Sequence, residues 1–390
     1  MKPSKQLPRL AVIGIAYLVS LAAAFTMVPP AVWQYDVVAP TMSAAALMLL
    51  FGPYLLAVGC TTGFLPGLGA LWTLAVVLPF YVLHVVFIIV VSKRTSLWRL
   101  FGRFGERARK TVVVLWAIVS ALGVWYELPC VTRYDIAAAE GKVPSEGLRL
   151  AVISDLHSCN YGYKHNALVD AVARENPDAV LLVGDIADDR LPDGNAQIAV
   201  GLLAKKFPCF YVAGNHEYWS ERVDEIKAWI RGCGATVLEG DVRTIEIKGT
   251  AVDICGIDDP TYIADEDWLG QLASVASETD GSPRLRILLS HRAEYAGEYA
   301  KYGFDLVFAG HLHGGQWGIP WTGLGVCGPS SGGPTSGDRP LFPKRAGGAY
   351  AIGTNTTLVV SRGLARESTP LPRFFNHPEL VVVDLKPWKQ

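Results

Sequence analysis

Two hydrophobic patterns divide the chain. Over residues 1–129 apolar side chains run almost without interruption through four stretches, 10–28, 44–63, 68–91 and 111–125, and a Gly/Pro turn at 63–67 separates the second from the third. A helix of about 20 residues crosses a bilayer. Four such stretches in succession, nearly free of internal charge, predict a membrane anchor of about four transmembrane helices rather than a set of buried core helices. From residue 148 the apolar runs shorten. Those over 148–153, 179–183, 209–212, 285–289, 306–309, 350–361 and 380–385 predict strands, with two or three shorter ones within 235–257. Segments over 166–174, 196–206 and 222–232 predict helices between them. Near-continuous apolar strands separated by helices indicate an α/β domain whose sheet is covered on its faces. The domain is expected over 148–390, behind a linker at 130–147. The Gly- and Pro-rich region 317–348 reads as a long loop beside the sheet.

Charge sharpens this division. The formal net charge of −1 is a cancellation between +7 in residues 1–129 and −8 in the remainder, which excludes a single soluble domain as the simplest reading and gives no support for nucleic-acid binding. Lys93, Arg94, Arg99, Arg103, Arg107, Arg109 and Lys110 crowd the loop between the third and fourth apolar stretches. The positive-inside rule places that loop in the cytoplasm and everything after the fourth stretch on the extracytoplasmic side. Four full spans from a cytoplasmic N-terminus would reverse the answer, as would cleavage of the first stretch as a signal peptide. Three spans and one re-entrant segment restore it. Six cysteines, Cys130, Cys159, Cys209, Cys233, Cys255 and Cys327, come after the anchor, enough for three disulfides or for buried thiols, and none forms a CxxC pair.

The candidate chemistry sits just after the predicted strands. Asp155, His157, Asp185, Asn215, His216, His291, His311 and His313 each lie just beyond a strand end, and five of the eight histidines of the chain are among them. Ligands of open α/β sheets bind beyond the carboxyl ends of the strands. Imidazole with carboxylate suits Mn, Fe, Zn and similar divalent ions. The set suffices for two ions, with a carboxylate such as Asp185 able to bridge a pair about 3.5–4 Å apart. Arg292, directly after a candidate ligand, is a candidate contact for substrate phosphate, with a surface salt bridge as the alternative. Asp188 and Asp189 are candidates to support the ligands from behind, with solvated turn residues as the simpler reading.

Five motifs in order, Ser154-Asp155-Leu156-His157, Gly184-Asp185-Ile186-Ala187-Asp188-Asp189, Gly214-Asn215-His216-Glu217, Ser290-His291-Arg292 and Gly310-His311-Leu312-His313-Gly314-Gly315-Gln316, resemble the calcineurin-like metallophosphoesterase family over about 148–385. The Gly-Gly-Gln extension and the tail from Ser361-Arg362-Gly363-Leu364 look like its membrane-associated or exported bacterial branch. The resemblance implies a four-layered α/β/β/α sandwich and two divalent metal ions (Mn, Fe, Zn or similar). Asp155, His157 and His313 would hold the first ion, Asn215, His291 and His311 the second, and Asp185 would bridge them. His216 would stand beside the leaving group while metal-activated hydroxide attacks phosphorus. Glu217 occupies a place where many members have Asp. The implied protein is a phosphoesterase tied to the lipid bilayer, acting on a phosphorylated small molecule or lipid. A phosphodiesterase or pyrophosphatase of a nucleotide-sugar lipid precursor, and a non-catalytic metal-binding membrane receptor, are the alternatives.

Overall fold

A computed structural model of the chain describes residues 129–260, 263–318, 325–326, 344–366, 373 and 375–388. They lie within one unit, residues 126–368 and 373–390. The four apolar stretches expected to cross a membrane lie outside the described residues, as do Cys60 and Cys327 and much of the loop at 317–348. Among the described residues no helix is long and apolar enough to cross a membrane.

In chain order the elements are β1 (Cys130–Ala138), β2 (Leu148–Ile153), α1 (Asn166–Glu175), β3 (Ala179–Val183), α2 (Gly194–Ala204), β4 (Cys209–Val212), α3 (Asn215–Trp219), α4 (Val223–Gly232), β5 (Thr236–Val237), β6 (Asp241–Ile247) and β7 (Thr250–Gly256). Next come α5 (Asp265–Glu278), β8 (Leu285–Arg292), α6 (Ala296–Tyr299), β9 (Leu306–Gly310), the short pair β10 (Trp317–Gly318) and β11 (Gly325–Val326), then β12 (Gly348–Ile352), β13 (Thr356–Val360) and β14 (Glu379–Pro387). Two six-stranded sheets result, in the orders β1-β14-β2-β3-β4-β5 and β12-β13-β9-β8-β7-β6.

Strand periodicity builds the layers. Successive side chains of a strand point to opposite faces. In β2, Leu148, Leu150 and Val152 enter the apolar layer between the sheets, whereas Ala151 and Ile153 face outward onto the helices. Ile287 and Leu289 of β8 and Phe308 of β9 supply the facing half of that inner layer. Leu168 and Val172 of α1, Leu203 of α2 and Ile230 of α4 close the outer face of the first sheet. Trp268 and Leu272 of α5 and Tyr299 of α6 close that of the second. The layers are thus helix, sheet, sheet, helix. Each fully buried large aliphatic or aromatic side chain contributes about 1.5–3 kcal/mol, so the strands need apolar residues on both faces, which is why they read as continuous runs.

Three expectations change. Residues 130–147, read as a linker, contain β1, which pairs in parallel with β14 along its whole length. The run at 350–361 is a hairpin of β12 and β13 rather than one strand. Helix α5 was not expected; its buried residues Trp268, Leu272, Val275 and Ala276 recur at helical spacing. The five described cysteines are free thiols.

Candidate metal centre

Strand direction creates the site. β2, β3 and β4 run parallel in one sheet, as β8 and β9 do in the other, and the side chains after their carboxyl ends meet at one rim. The local backbone is unusual. Asp155, His157, Asp185, His311 and His313 all hold φ between 47° and 70°. Left-handed backbone costs a non-glycine residue about 1–2 kcal/mol, and such strain clusters at functional sites. Two glycines are required by close approach: a Cβ on Gly310 would lie 1.8 Å from Ser154 Oγ, and one on Gly214 would lie 2.4 Å from Asp185 Oδ1.

Two lobes share one carboxylate. Ligand atoms of Asp155, His157, Asp185 and His313 lie within 4.8 Å of one another, and so do those of Asp185, His291 and His311. In the first lobe His157 Nε2 is 3.3 Å from His313 Nε2 and 3.6 Å from Asp185 Oδ2. His313 Nε2 is 3.4 Å from Asp155 Oδ1. In the second, His291 Nε2 is 3.0 Å from Asp185 Oδ2. His291 Nδ1 lies 2.9 Å from Val183 O, a carbonyl that can only accept, so this nitrogen carries a proton and Nε2 is the ring position that faces Asp185. Asn215 is buried at the amino end of α3, and the next residue, His216, donates its backbone N–H to Asp185 Oδ1 at 2.8 Å.

These groups fit divalent cations. Asp185 Oδ2 and His291 Nε2 are buried with only their 3.0 Å contact to each other close by, and both amide atoms of Asn215 are buried with no hydrogen-bond partner. A buried polar atom left unpaired costs about 1–3 kcal/mol. Two imidazole nitrogens facing each other at 3.3 Å, beside a second carboxylate, leave lone pairs that a cation satisfies.

Without a cation these groups perturb one another strongly. Burial pushes the Asp155 carboxyl up, against His291; its oxygens also accept from His311 N at 3.0 and 3.2 Å and from Ser154 Oγ at 2.6 Å. Asp185 is equally buried, but His291 and His216 hold it well below the usual carboxylate range. Burial opposes charge on His291, and Asp185 and Asp155 outweigh it and push it up to about 10. Burial keeps His311 and His313 well below the usual imidazole range, reinforced by Arg292 and His157 respectively.

Around the lobes, sequence reasoning missed several supports. Glu217 accepts backbone N–H groups from Asp185 (2.9 Å), Ile186 (2.7 Å), Ala187 (3.0 Å) and Gly214 (2.9 Å), clamping the loops after β3 and β4 together. Burial and Asp185 push it up to about 7. Asp188 and Asp189 take the supporting place rather than the solvated one that was the simpler reading: Asp188 Oδ2 lies 3.0 Å from His157 Nδ1, and Asp189 Oδ1 lies 2.6 Å from His216 Nδ1. Burial opposes charge on His216, but Asp185 and Asp189 raise it to about 9. Arg292, expected at substrate phosphate, is buried and internally bound. It donates to Asp259 at 2.7 and 3.1 Å and to Glu294 at 3.3 Å, and its Nη1 lies 3.0 Å from His311 Nε2. Asp259 lies just beyond the end of β7, the same strand-end signal that marked the ligands. Arg373 and Asn376 both donate to His313 O, at 3.4 and 2.6 Å, through loop placement that no local pattern announces.

The sequence is similar to those of known proteins. Residues 148–315 match the family model described as calcineurin-like phosphoesterase. The uncharacterized metallophosphoesterase YkuE of Bacillus subtilis is 26% identical over 247 residues, 62% of this chain and 80% of its own. A transmembrane protein with metallophosphoesterase domain from Danio rerio is 26% identical over 336 residues, 78% of this chain and 71% of its own. Phosphodiesterase YaeI of Escherichia coli is 26% identical over 206 residues, 51% of this chain and 71% of its own. Since the matched segment is the one that holds the two lobes, residues 148–315 form a calcineurin-like phosphoesterase domain, which makes the chain a metal-dependent phosphoester hydrolase.

Proposed function

We propose that the protein is a membrane-anchored phosphoesterase with a two-cation site, its catalytic domain outside the cytoplasm, acting on amphiphilic phosphate esters. The observation that carries the site is Asp185, which belongs to both lobes and whose buried Oδ2 faces His157 of one at 3.6 Å and His291 of the other at 3.0 Å. In this reading Asp155, His157 and His313 hold the first cation, Asn215, His291 and His311 the second, and Asp185 both. Bound divalent ions supply hydroxide near neutral pH and offset charge on the phosphoryl oxygens. His216 stands at the edge of the site with Nδ1 fixed by Asp189, so Nε2 is the ring position left to face a leaving oxygen and give it a proton. The anchor is supported by the four apolar stretches and by the relative named as a transmembrane protein. The relative named as a phosphodiesterase makes a diester the first substrate to try.

The full-length protein with manganese is tested on bis-p-nitrophenyl phosphate and p-nitrophenyl phosphate, beside Asp185→Asn. The variant is expected to lose at least about 100-fold in turnover and to retain less metal. Full activity in Asp185→Asn overturns the assignment.

A further inference from the structure

A neutral imidazole carries one proton and one ring lone pair, so a histidine that gives one nitrogen to a cation carries its proton on the other, where an acceptor fixes the ring. For three histidines of the site the structure shows that acceptor. His157 Nδ1 lies 3.0 Å from Asp188 Oδ2, His291 Nδ1 lies 2.9 Å from Val183 O, and His216 Nδ1 lies 2.6 Å from Asp189 Oδ1. His311 is different in kind. Its Nε2 faces a donor, Arg292 Nη1, at 3.0 Å, and the next polar atom is Glu294 Oε1 at 3.6 Å.

Glu294 has no evident structural task. It follows the end of β8, and its side chain is 1% exposed. The guanidinium beside it is already paired, since Asp259 accepts from Arg292 Nε and Nη2 at 2.7 and 3.1 Å. The bond from Arg292 Nη1 to Glu294 Oε1 is long, at 3.3 Å, and Glu294 Oε2 is buried with no hydrogen-bond partner. Burying a second carboxylate beside one paired cation is unfavourable unless a further donor or positive charge faces it. The second lobe supplies both through His311.

The choice of ring nitrogen follows from Arg292. A guanidinium donates and never accepts. A cation on Nε2 would compete with Arg292 for one lone pair and stand beside a fixed positive charge. Nδ1 is therefore the ring position for the second cation, which puts the proton on Nε2. Arg292 cannot take that proton, and Glu294 is the acceptor at hand. We propose that Glu294 is the positioning residue of the second lobe: it accepts the Nε2 proton of His311 and thereby directs the Nδ1 lone pair at the cation. Arg292, clamped by Asp259, keeps the carboxylate beside the ring. A small turn of that carboxylate brings it from 3.6 Å into the bonding range of about 2.7–3.2 Å. The proposal rests on the two-cation reading given above.

The test counts ions rather than turnover. Full-length wild type, Glu294→Ala and Glu294→Gln are stripped with a chelator and titrated with manganese, with free and bound ion read by electron paramagnetic resonance. Wild type is expected to take two ions and show the broad spectrum of a coupled pair. Glu294→Ala is expected to keep the affinity of the first ion, which also reports that it is folded, and to bind the second about 10–100-fold more weakly. At manganese concentrations that fill both sites of the wild type, its spectrum is that of an isolated ion. Glu294→Gln, whose amide oxygen can still accept from Nε2, is expected to recover part of the second affinity. A second affinity in Glu294→Ala equal to that of the wild type overturns the proposal while the two-cation reading stands. Equal weakening of both ions in both variants assigns Glu294 to packing and overturns it too. A wild type that takes a single ion removes the two-cation reading and the proposal with it.

Discussion

At the rim, five of the seven residues assigned to cations hold left-handed backbone, the buried side-chain amide of Asn215 has no hydrogen-bond partner, and Asp185 and His291 meet only each other at their facing atoms. At the opposite end, charged side chains are matched: Arg149 with Asp384 at 2.6 Å, Lys248 with Asp178 at 2.8 Å, and Arg284 with Asp253 at 2.8 Å. The same parallel strands produce both ends, and the loops attached to them make the difference. Where the chain turns back through short polar loops at the rim it carries strain and unpaired donors and acceptors, and where it enters the strands it is regular and satisfied. A rim of that kind is stabilised by its ligands, since a ligand that binds only the folded state adds to stability by mass action. Substitutions at the two ends should therefore differ in kind, with rim changes moving metal and turnover and far-end changes moving stability alone.

The largest expected effect in this contrast is at Glu217. Glu217→Gln keeps the shape of the side chain but turns an NH₂ group toward backbone N–H donors that now bond its second oxygen. Two of those buried donors then lose their acceptor, a cost of about 2–5 kcal/mol. Calorimetry should show a lowered Tm and elemental analysis a lowered metal content, because the clamp joins the loops that carry Asp185 and Asn215. Unchanged metal content would show that the rim does not depend on this clamp.

Asp189→Asn comes next. It touches His216 and none of the assigned cation ligands. Loss of a carboxylate that orients a functional histidine costs about 10–100-fold. The fall should appear in kcat, most for esters with poor leaving groups, with metal content unchanged. A loss of metal instead would place Asp189 with the ligands.

How much of this contrast is legible beforehand depends on the range of the interaction. The candidate ligands were visible because each lies at or just beyond a strand end, a local pattern, and the strands at 148–153, 179–183 and 209–212 coincide with those observed because both of their faces are buried. β1 was missed because its exposure alternates beside one sheet edge, giving a weaker apolar run than the central strands. The bonds of Asp188, Asp189 and Arg292 were misplaced because a side chain's partner across 27, 31 or 33 residues is set by the packed loops and not by its neighbours in sequence.

The far end yields smaller effects, and pH separates them. Burial raises the Asp253 carboxyl, but bonds from Arg284, Thr244 and Ser282 outweigh it and leave it below the ordinary carboxylate value. A depressed folded-state pKa means stability that is present above the unfolded value of about 3.9 and lost as pH falls through the folded one. Asp253→Asn should cost about 1–2 kcal/mol at pH 7, and its Tm should converge on that of the wild type below about pH 4. A constant gap across that range would assign the effect to packing.

Arg149→Ala sets the lower bound. Its ion pair with Asp384 is bidentate, at 2.6 and 3.0 Å, yet the Arg149 side chain is 38% exposed. Water already solvates much of that charge, so the pair contributes about 0–1 kcal/mol. The substitution also removes the bond from Arg149 to Glu175 O at 2.9 Å, which caps the last turn of α1. The expected outcome is a Tm lowered by a few degrees at most, with kcat and metal content equal to wild type, because no bond of Arg149 reaches the rim. A change in turnover would mean that the two ends are coupled through β2, which joins Arg149 to the loop of Asp155, and would break the contrast at its simplest point.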